Sequence, residues 1–381
     1  MPSRIVIDTR HIRDFGIGTY IRNLVHALAK LDSENRYLLV TYSADAQELS
    51  GLPSNFELSI YERKDSDLLD QVAFPLYLRG LRADLYHIPL NVVSLLMPTP
   101  YVVTVHDMSS LLFDKLPARQ RRFRHYQFRR GLERASRIIA VSKATQRDIE
   151  GLFGIHAGKI RQIYNAPDPQ FLADGPDPSD PEQQRTLERY QIRRPFLLYV
   201  GTIRRQKNIP RLVEAFAVLR AELEGHPIYG DLRLIIIGDE ISRHPEVRRT
   251  VIQTRVEQAV RFLGFVPFET LRTFYASAAA FVFPSLYEGF GLPPLEAMAS
   301  GTPVVTSNVS SLPEVVGDSA VLVNPENVFE IARGIREALT SESQREDLVR
   351  RGHQQARKFS WEETARQVLE VYREFIAPKP V

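Results

Sequence analysis

Short apolar runs alternate with longer amphipathic segments along the first half of the chain. The runs are rich in β-branched residues and predict strands at residues 4–8, 37–41, 84–87, 101–105, 137–141 and 160–164. Helical spacing of apolar residues predicts helices at residues 18–30, about 67–81, 119–136 and after Ser142. Strands that alternate with helices indicate a parallel sheet with helices on both faces.

The same alternation returns in the second half. Strands are predicted at residues 196–200, 232–237, 260–263, 280–283, 303–306 and 320–323, and helices after Asn208, Pro245, Pro267, Pro293 and Asn327. Between the halves, residues 165–195 are rich in proline and aspartate and are predicted to be a linker. Because 381 residues exceed the usual size of one core, we predict two domains, at residues 1–175 and 190–360.

The strand predicted at residues 280–283 leads into a glycine loop with the sequence Glu288-Gly-Phe-Gly-Leu-Pro-Pro-Leu-Glu296. Gly289 and Gly291 allow backbone amides to come close to a ligand, and the two prolines suit the first turn of a helix. A glycine loop before a helix N-terminus is a phosphate-binding arrangement. The two glutamates could accept hydrogen bonds from sugar hydroxyls; alternatively, Glu296 complements the helix dipole and Glu288 is a solvated charge.

Two further polar positions follow predicted strands, where ligands of parallel sheets gather. His106 comes directly after the strand at 101–105, and Asp107 can orient its imidazole or cap the following turn. Ser142 follows the strand at 137–141 and precedes a helix, which makes it a helix N-cap candidate.

A cluster of cations stands at the start of a predicted helix. Arg204, Arg205 and Lys207 oppose the helix dipole there, which is unusual unless an anion binds nearby. Gly16 and Gly18 form a second glycine loop, whose spacing makes a poor nicotinamide fingerprint. That loop can approach a phosphate or sugar, or can be a plain turn.

Composition limits the other classes. There are no cysteines, the start of the chain enters a strand without a leader, and no apolar run could span a membrane, so we expect a cytoplasmic protein. Eight arginines but only one acidic residue lie between Arg119 and Arg137, which suggests an anionic membrane surface or acceptor as a partner, with peripheral attachment at the inner face of the plasma membrane. No nucleic-acid motif accompanies them. Asp65-Ser-Asp67 spells a metal-binding D-x-D pattern, but it precedes a helix and is interpreted as a cap, so no metal site is predicted.

The Glu288 to Glu296 segment, followed by Ala-Ser-Gly-Thr-Pro-Val-Val, resembles the E-x7-E signature of retaining glycosyltransferases of the GT-B fold, in particular family 4. The resemblance covers nearly the full chain. It implies two Rossmann-like domains with the active site in the cleft between them, and a C-terminal helix, residues 361–381, that packs back on the first domain. The glycine-loop segment that ends at Glu296 and the stretch from Ser307 to Val315 are similar to those of bacterial mannosyltransferases of surface polysaccharide synthesis.

The resemblance also implies residue roles. Glu296 would hold the nucleotide ribose, Glu288 would lie beside the transferred sugar, and Lys207 would neutralise the leaving diphosphate. His106 would contact the hydroxyls of the donor sugar, and Ser142 would face the acceptor. The remaining contacts to the diphosphate would come from Gly16, Gly18, Arg204 or Arg205, and the amides of Phe290, Gly291 and Leu292. The sequence departs from the family at Thr202 and Gln206, where many relatives carry arginine.

The function that the resemblance implies is metal-independent, retaining transfer of a sugar from a nucleotide diphosphate, without a cofactor. GDP-mannose is the first choice of donor and a UDP-sugar the second, and the acceptor is a lipid-linked or growing glycan. Two alternatives stay open, a nucleotide-sugar epimerase of the same architecture and a binding protein without catalysis.

Overall fold

The computed structural model describes residues 2–64, 69–172 and 181–376. The chain divides into two compact units, the first formed by Met1–Ala166 with Phe359–Val381 and the second by Pro167–Lys358. Each unit contains one parallel sheet with helices, which confirms the predicted α/β class. The D-x-D aspartates, Asp65 and Asp67, lie outside the described residues.

The first unit has a seven-stranded sheet in the order β3-β2-β1-β4-β5-β6-β7, with every neighbouring pair parallel. Its strands are short and mostly buried: β1 Arg4–Asp8, β2 Arg36–Thr41, β3 Phe56–Ile60, β4 Leu85–Ile88, β5 Tyr101–Val105, β6 Arg137–Ala140 and β7 Ile160–Gln162. The helices that precede residue 160 are α1 Ile17–Leu31, α2 Asp70–Gly80, α3 Ser109–Leu112, α4 Ala118–Arg134 and α5 Lys143–Phe153.

The second unit has a six-stranded parallel sheet in the order β10-β9-β8-β11-β12-β13. Its strands are β8 Phe196–Gly201, β9 Arg233–Gly238, β10 Val260–Gly264, β11 Ala280–Phe283, β12 Val304–Ser307 and β13 Val321–Val323. Its helices are α6 Pro169–Leu172, α7 Pro181–Arg189, α8 Ile209–Glu222, α9 Pro245–Gln253, α10 Phe268–Ser277, α11 Leu292–Ala299, α12 Leu312–Val316, α13 Val328–Thr340 and α14 Glu342–Ala356.

Both sheets are doubly wound, and each has one point where the strand order reverses. That point lies between β1 and β4 in the first unit and between β8 and β11 in the second. In such folds ligands bind outside the carboxyl ends of the strands at the point of reversal. The two switch points are therefore the expected positions of functional side chains.

Of the segment predicted to be a linker, residues 173–180 lie outside the described residues, and the described residues from 167 onward belong to the second unit. The ring of Phe171 in α6 lies edge-on to Phe268 and Tyr275, and Leu187 of α7 is buried. The prediction failed because prolines also begin helices, as Pro169 and Pro181 do here. The boundary between the compact units falls instead at residues 166 and 167.

The C-terminal helix, α15 Trp361–Arg373, packs against α1 of the first unit. It begins at Ser360, whose side chain accepts a hydrogen bond from the amide of Glu363. Its apolar face is buried, including Val368 and Tyr372. The helix therefore completes the core of a unit that begins more than three hundred residues earlier in the chain.

Candidate active site

The glycine loop lies at the switch point of the second unit, between the end of β11 and the start of α11. Gly291 precedes α11 with a φ of +120°, and a Cβ atom added there would lie 2.9 Å from Cδ2 of Leu312. Both the backbone angle and the close contact require glycine at this position. Pro293 and Pro294 occupy the first turn, as predicted, and Gly301 follows the end of the helix with a φ of +77°.

Two serines fix the direction of the peptide groups in this loop. Ser311 donates from Oγ to the carbonyl oxygens of Glu288 and Phe290, at 2.9 and 2.7 Å. Ser310 accepts a hydrogen bond from the amide of Glu288 at 3.1 Å. Because carbonyl and N–H point in opposite directions across a planar peptide group, the amide of Gly291 is directed away from Ser311.

Lys207 and Glu288 form an ion pair at the same edge. The ammonium Nζ lies 2.6 and 2.9 Å from the two carboxylate oxygens, and both side chains are largely buried. Lys207 ends a short 3-10 turn, Arg205–Lys207, that follows β8. The turn is held in place because the carbonyl of Gln206 accepts from the amide of Leu286 at 2.7 Å.

Asn208, which follows this turn, connects three loops of the second unit. It adopts a φ of +62° and its side-chain amide donates to the carbonyls of Pro284 and Pro325, at 3.0 and 2.7 Å. Arg204 and Arg205 are exposed, and neither forms an ion pair within the part of the chain that the structure describes. Lys207 is thus the cation that the fold positions firmly.

Glu296 lies inside the unit, on α11. Its Oε2 accepts a hydrogen bond from the hydroxyl of Tyr275 at 2.9 Å, and the residue is 7% exposed. The pKa of Glu296 is raised to about 7, mainly because burial disfavours the charged carboxylate; the Tyr275 hydrogen bond acts to lower this pKa and the nearby Asp168 carboxylate acts to raise it. The carboxyl group therefore titrates near neutral pH.

In the first unit, His106 follows β5 as predicted and is held by the loop after β4. Its Nε2 lies 3.1 Å from the carbonyl of Pro89, to which it can donate, and its amide donates to Asn91 at 2.7 Å. Burial lowers the pKa of His106 to about 4, so the ring is neutral near pH 7. If Nε2 carries the proton, Nδ1 is left as an acceptor. Asp107 accepts from the amide and hydroxyl of Ser109, so it caps the following turn.

A buried hydrogen-bond chain lies beside His106. Tyr372 of α15 bonds to Nδ1 of His87, whose Nε2 lies 2.8 Å from the hydroxyl of Thr104. Thr104 in turn lies 3.0 Å from the hydroxyl of Tyr20, and the Tyr20 ring stands edge-on to His106 with centroids 4.9 Å apart. The C-terminal helix thus supports the surroundings of His106.

Three other predicted positions have structural explanations in the first unit. Gly16 is the N-cap of α1 with a φ of +66°, and a Cβ atom at Gly18 would lie 2.3 Å from the carbonyl oxygen of Ile12. Ser142 is fully buried, and its hydroxyl accepts from the amide of Thr145 at 2.9 Å, capping α5. The structure therefore gives Ser142 the capping role that its position favours.

A polar cavity of about 400 Å³ lies at the switch point of the first unit. Asp8 ends β1 and forms a bidentate ion pair with Arg10, whose Nη1 lies 3.1 Å from Asp70 at the start of α2. These three residues are called the Asp–Arg–Asp cluster below. The other polar residues that line the cavity include Gln71, Asp114, Arg124 and Gln127.

Sequence reasoning missed several of these residues. Ser310 and Ser311 lie 22 and 23 positions from Glu288, to which they bond, and Tyr275 lies on a different helix from Glu296. The charged residues Asp8, Arg10 and Asp70 offered one signal for the first-unit cluster, because charges next to a buried strand are normally paired. The predicted loop, Lys207 and Glu288 were brought together by the fold.

The described residues contain neither a membrane-spanning helix nor a cluster of metal-binding side chains. Across residues 2–64, 69–172 and 181–376, no helix is long and apolar enough to cross a bilayer. Within the same ranges, no three histidine, aspartate or glutamate side chains converge in a way that could hold a metal ion.

Comparisons with known proteins agree with this geometry. The family model described as Glycosyltransferase Family 4 matches residues 16–171, and the model described as Glycosyl transferases group 1 matches residues 182–355. The O-antigen chain mannosyltransferase B of Escherichia coli is 36% identical over 275 residues, which cover 71% of this chain and 70% of that protein.

Two further matches extend the comparison. The serotype-specific mannosyltransferase WbdA of Escherichia coli is 31% identical over 277 residues, 72% of this chain, but the match spans only 33% of that longer protein. The crystal structure of a glycosyltransferase from Rickettsia africae has a TM-score of 0.75 at 16% identity and covers 99% of this chain and 100% of that one. The chain therefore belongs to the family 4, group 1 glycosyltransferases and has the GT-B fold.

Proposed function

We propose that this glycosyltransferase transfers mannose from GDP-mannose to a hydroxyl group of a lipid-linked or growing glycan, with retention of configuration and without a metal ion. The relatives named as O-antigen and serotype-specific mannosyltransferases support the choice of sugar. A UDP-sugar is the second candidate donor. The observation that carries the proposal is the meeting of Lys207 with Glu288 beside the glycine loop.

The ion pair supports the proposed role of Lys207 in binding the diphosphate. A phosphate oxygen would compete with the Glu288 carboxylate for the ammonium group, because both are anions that accept from Nζ. The amide of Gly291 and the N-terminus of α11 add fixed positive partial charge at the same place. The freed carboxylate of Glu288 could then accept hydrogen bonds from hydroxyls of the transferred sugar.

The leaving group sets the chemical demand on the site. As the sugar–phosphate bond breaks, negative charge grows on the diphosphate, and preorganised donors lower the barrier by stabilising that charge. In the proposed retaining reaction the acceptor attacks the face that the diphosphate leaves, and the phosphate takes the acceptor proton. No dedicated base is then needed. Burial lowers the pKa of His106 to about 4, so its ring is a weak proton acceptor near pH 7.

The first experiment is thermal stabilisation of the full chain by GDP, UDP, GDP-mannose and UDP-glucose. A ligand that binds only the native state raises the melting temperature in proportion to RT ln(1 + [L]/Kd). We expect GDP and GDP-mannose to stabilise most, and Glu296→Ala to weaken nucleotide binding. A preference for UDP would reject GDP-mannose, and indifference to every nucleotide would reject the glycosyltransferase site itself.

A second experiment separates transfer from epimerisation and tests the role of metals. Incubation with the preferred nucleotide sugar and a glycan acceptor, in the presence of EDTA, should give an extended glycan and free nucleotide diphosphate. Release of an altered sugar without any acceptor would identify an epimerase. Loss of turnover in EDTA, restored by a divalent ion, would contradict metal independence.

We also propose that α4 contacts an anionic membrane surface. Arg124, Arg129 and Arg130 are paired with acidic groups, so only part of the arginine run is available. Phe123 and Tyr126 are 61% and 52% exposed on the same helix. Four arginines of α4 have no ion pair among the described residues: Arg119, Arg121, Arg122 and Arg134. Arg134 donates to the carbonyl oxygens of Leu95 and Met97, which leaves Arg119, Arg121 and Arg122 for contact with lipid.

Vesicle sedimentation tests this contact. The chain should sediment with vesicles that contain 30% phosphatidylserine but not with pure phosphatidylcholine, and salt should weaken the binding. Replacing Arg119, Arg121 and Arg122 by glutamine should abolish it. Equal recovery with both lipids would contradict the proposal.

A further inference from the structure

We propose that the polar cavity of the first unit binds an uncharged hexose residue of the acceptor and discriminates against anionic sugars. This inference rests on the proposed glycosyl transfer and deepens it, because it names the class of acceptor. It concerns only residues of the first unit, at the carboxyl ends of β1 and β4.

The position of the cavity supports ligand binding. Asp8 is the last residue of β1 and Ile88 the last residue of β4, and the strand order of this sheet reverses between these two strands. The crevice at such a point is where doubly wound sheets bind their ligands. A volume of about 400 Å³ lies within the range of small-molecule sites.

The Asp–Arg–Asp cluster provides hydrogen-bond acceptors. Arg10 donates to both oxygens of Asp8, at 2.9 and 2.8 Å, and to one oxygen of Asp70, whose other oxygen accepts from the hydroxyl of Tyr61 at 2.6 Å. Each carboxylate has about four lone-pair positions, so these contacts leave capacity for sugar hydroxyls. The guanidinium carbon of Arg10 lies 3.5 Å from the ring centroid of Phe74, which fixes the cluster from below.

The cost of the cluster is the reason to assign it a function. Two carboxylates and one guanidinium are almost fully buried, with exposures of 1%, 4% and 6% for Asp8, Asp70 and Arg10. Buried ion pairs seldom stabilise a fold more than apolar side chains of the same volume, and an excess of one charge makes the burial costlier. Hydroxyl groups of a ligand would offset that cost by donating to the carboxylates.

The charge count favours an uncharged ligand. Three aspartates and two arginines line the cavity, and both arginines are already paired, Arg10 with Asp8 and Asp70, and Arg124 with Asp114 at 2.7 Å. A phosphate or carboxylate would meet an excess of negative charge without a free cation among the described lining residues. A neutral sugar avoids this repulsion.

The remaining walls suit a pyranose ring. Gln127 donates to the side-chain oxygen of Gln71 at 3.0 Å, and the two amides together offer both donors and acceptors at one side. Val92, which is 37% exposed, and the partly exposed Leu90 also line the cavity and offer apolar surface against which the C–H groups of a sugar can pack. The lining therefore combines many polar groups with some apolar surface, which suits a ligand that carries both hydroxyl and C–H groups.

The test compares matched neutral and anionic sugars on the full chain. Ligand-observed NMR titrations would use the methyl α-glycosides of mannose, glucose and galactose, each beside its 6-phosphate. We expect at least one glycoside to bind and its 6-phosphate to bind at least tenfold more weakly. A 6-phosphate that binds as well as its glycoside, or no glycoside binding at all, would overturn the proposal.

A variant pair ties that binding to the cavity. Asp70→Asn should weaken glycoside binding at least fivefold and raise the KM for acceptor while leaving the KM for donor unchanged. Asp32→Asn is the matched control, because Asp32 is also buried and also accepts a tyrosine hydroxyl hydrogen bond, from Tyr37 at 2.6 Å, but lies outside the cavity. Equal binding by Asp70→Asn and the wild type would refute the assignment.

A second variant and a nucleotide-binding measurement complete the test of the cavity. If Asp70→Asn does not fold, Gln71→Leu at an exposed position should still weaken glycoside binding about threefold, and an unchanged affinity would count against the cavity. Nucleotide binding is measured in the same samples. Nucleotide without glycoside binding rejects the cavity alone, whereas loss of nucleotide binding in the wild type rejects the proposed function.

Discussion

The two switch points share one topology but differ in their chemistry. In the second unit a lysine faces a glutamate beside a glycine loop and a helix N-terminus, whereas in the first unit one arginine lies between two aspartates. The first arrangement uses backbone amides and one cation that can exchange its partner. The second uses side-chain carboxylates that outnumber their cation.

The comparison shows that the same strand order can hold different chemical groups at the carboxyl edge of a sheet. In both sheets the strand order reverses next to the first strand, and this reversal creates a crevice at the carboxyl edge of the sheet. The ligand class then follows from the local charge and from whether the donors are main-chain or side-chain groups. We therefore expect substitutions at the first site to change mainly stability and substitutions of Lys207 at the second site to change mainly turnover.

Replacing Arg10, the cation of the Asp–Arg–Asp cluster, should have the largest effect on stability. Arg10→Met leaves Asp8 and Asp70 buried without a counter-ion, which typically costs about 3–5 kcal/mol. For a unit of this size we expect the melting temperature to fall by roughly 10 °C, measured by calorimetry. Adding Asp8→Asn and Asp70→Asn to Arg10→Met should recover most of the loss. An unchanged melting temperature for Arg10→Met would show that the cluster is not coupled as the distances suggest.

Replacing Lys207, the cation beside the glycine loop, should instead lower turnover. Lys207→Ala should reduce kcat by about 10²–10³-fold, the usual cost of losing one preorganised donor to a developing anion, with a smaller change in nucleotide affinity. Steady-state kinetics with Lys207→Arg should show partial recovery. Arg336→Gln, which breaks a surface ion pair with Glu222 in the same unit, is the control and should leave kcat unchanged. A loss below threefold for Lys207→Ala would reject its catalytic role.

Glu296 should make the stability of the second unit depend on pH. Burial raises the pKa of Glu296 from its ordinary value of 4.5 to about 7. Between these values the unfolded chain releases the proton while the folded unit keeps it, so stability falls as pH rises through this window, by roughly 3 kcal/mol in all.

Melting temperatures measured from pH 4.5 to 8 test this expectation. Glu296→Gln should remove the slope, whereas Tyr275→Phe should move the window to higher pH, because the Tyr275 hydrogen bond lowers the pKa of the carboxyl group. Parallel curves for the wild type and Glu296→Gln would mean that Glu296 is ionised throughout. Glu296 differs in this respect from Asp8 and Asp70 in the first unit, whose carboxylates are paired with the Arg10 guanidinium.

The smallest expected effect concerns the backbone of the glycine loop. Gly291→Ala forces a Cβ atom toward Leu312 at a φ of +120°, which should cost about 1–3 kcal/mol and weaken nucleotide binding several-fold. Gly225→Ala is the control, since Gly225 also has a positive φ but no atom within 4 Å of the added Cβ. It should lower the melting temperature slightly and leave nucleotide binding unchanged. Equal nucleotide affinity in both variants would show that the loop does not bind the donor.

Most of the sheet was predictable because buried strands have a local signal. The prediction missed β3, whose residues are largely exposed apart from Phe56, and α14, in which charged residues dominate and few apolar positions mark a face. Both elements owe their structure to neighbours rather than to their own pattern. The predicted linker failed for a similar reason, because Phe171 and Leu187 find their partners on α10 and elsewhere in the unit.

By itself the sequence determined the two α/β units, the glycine loop and the helix that follows it, because hydrophobic period and backbone restriction act between residues close together in the chain. Only the tertiary structure decided that Lys207 pairs with Glu288, that Ser311 orients the loop, and that Asp70 shares Arg10 with Asp8. These three contacts join residues that are 81, 23 and 60 positions apart, respectively. Such pairs leave no local pattern, since their geometry exists only when strands and loops distant in sequence meet at one edge of a sheet.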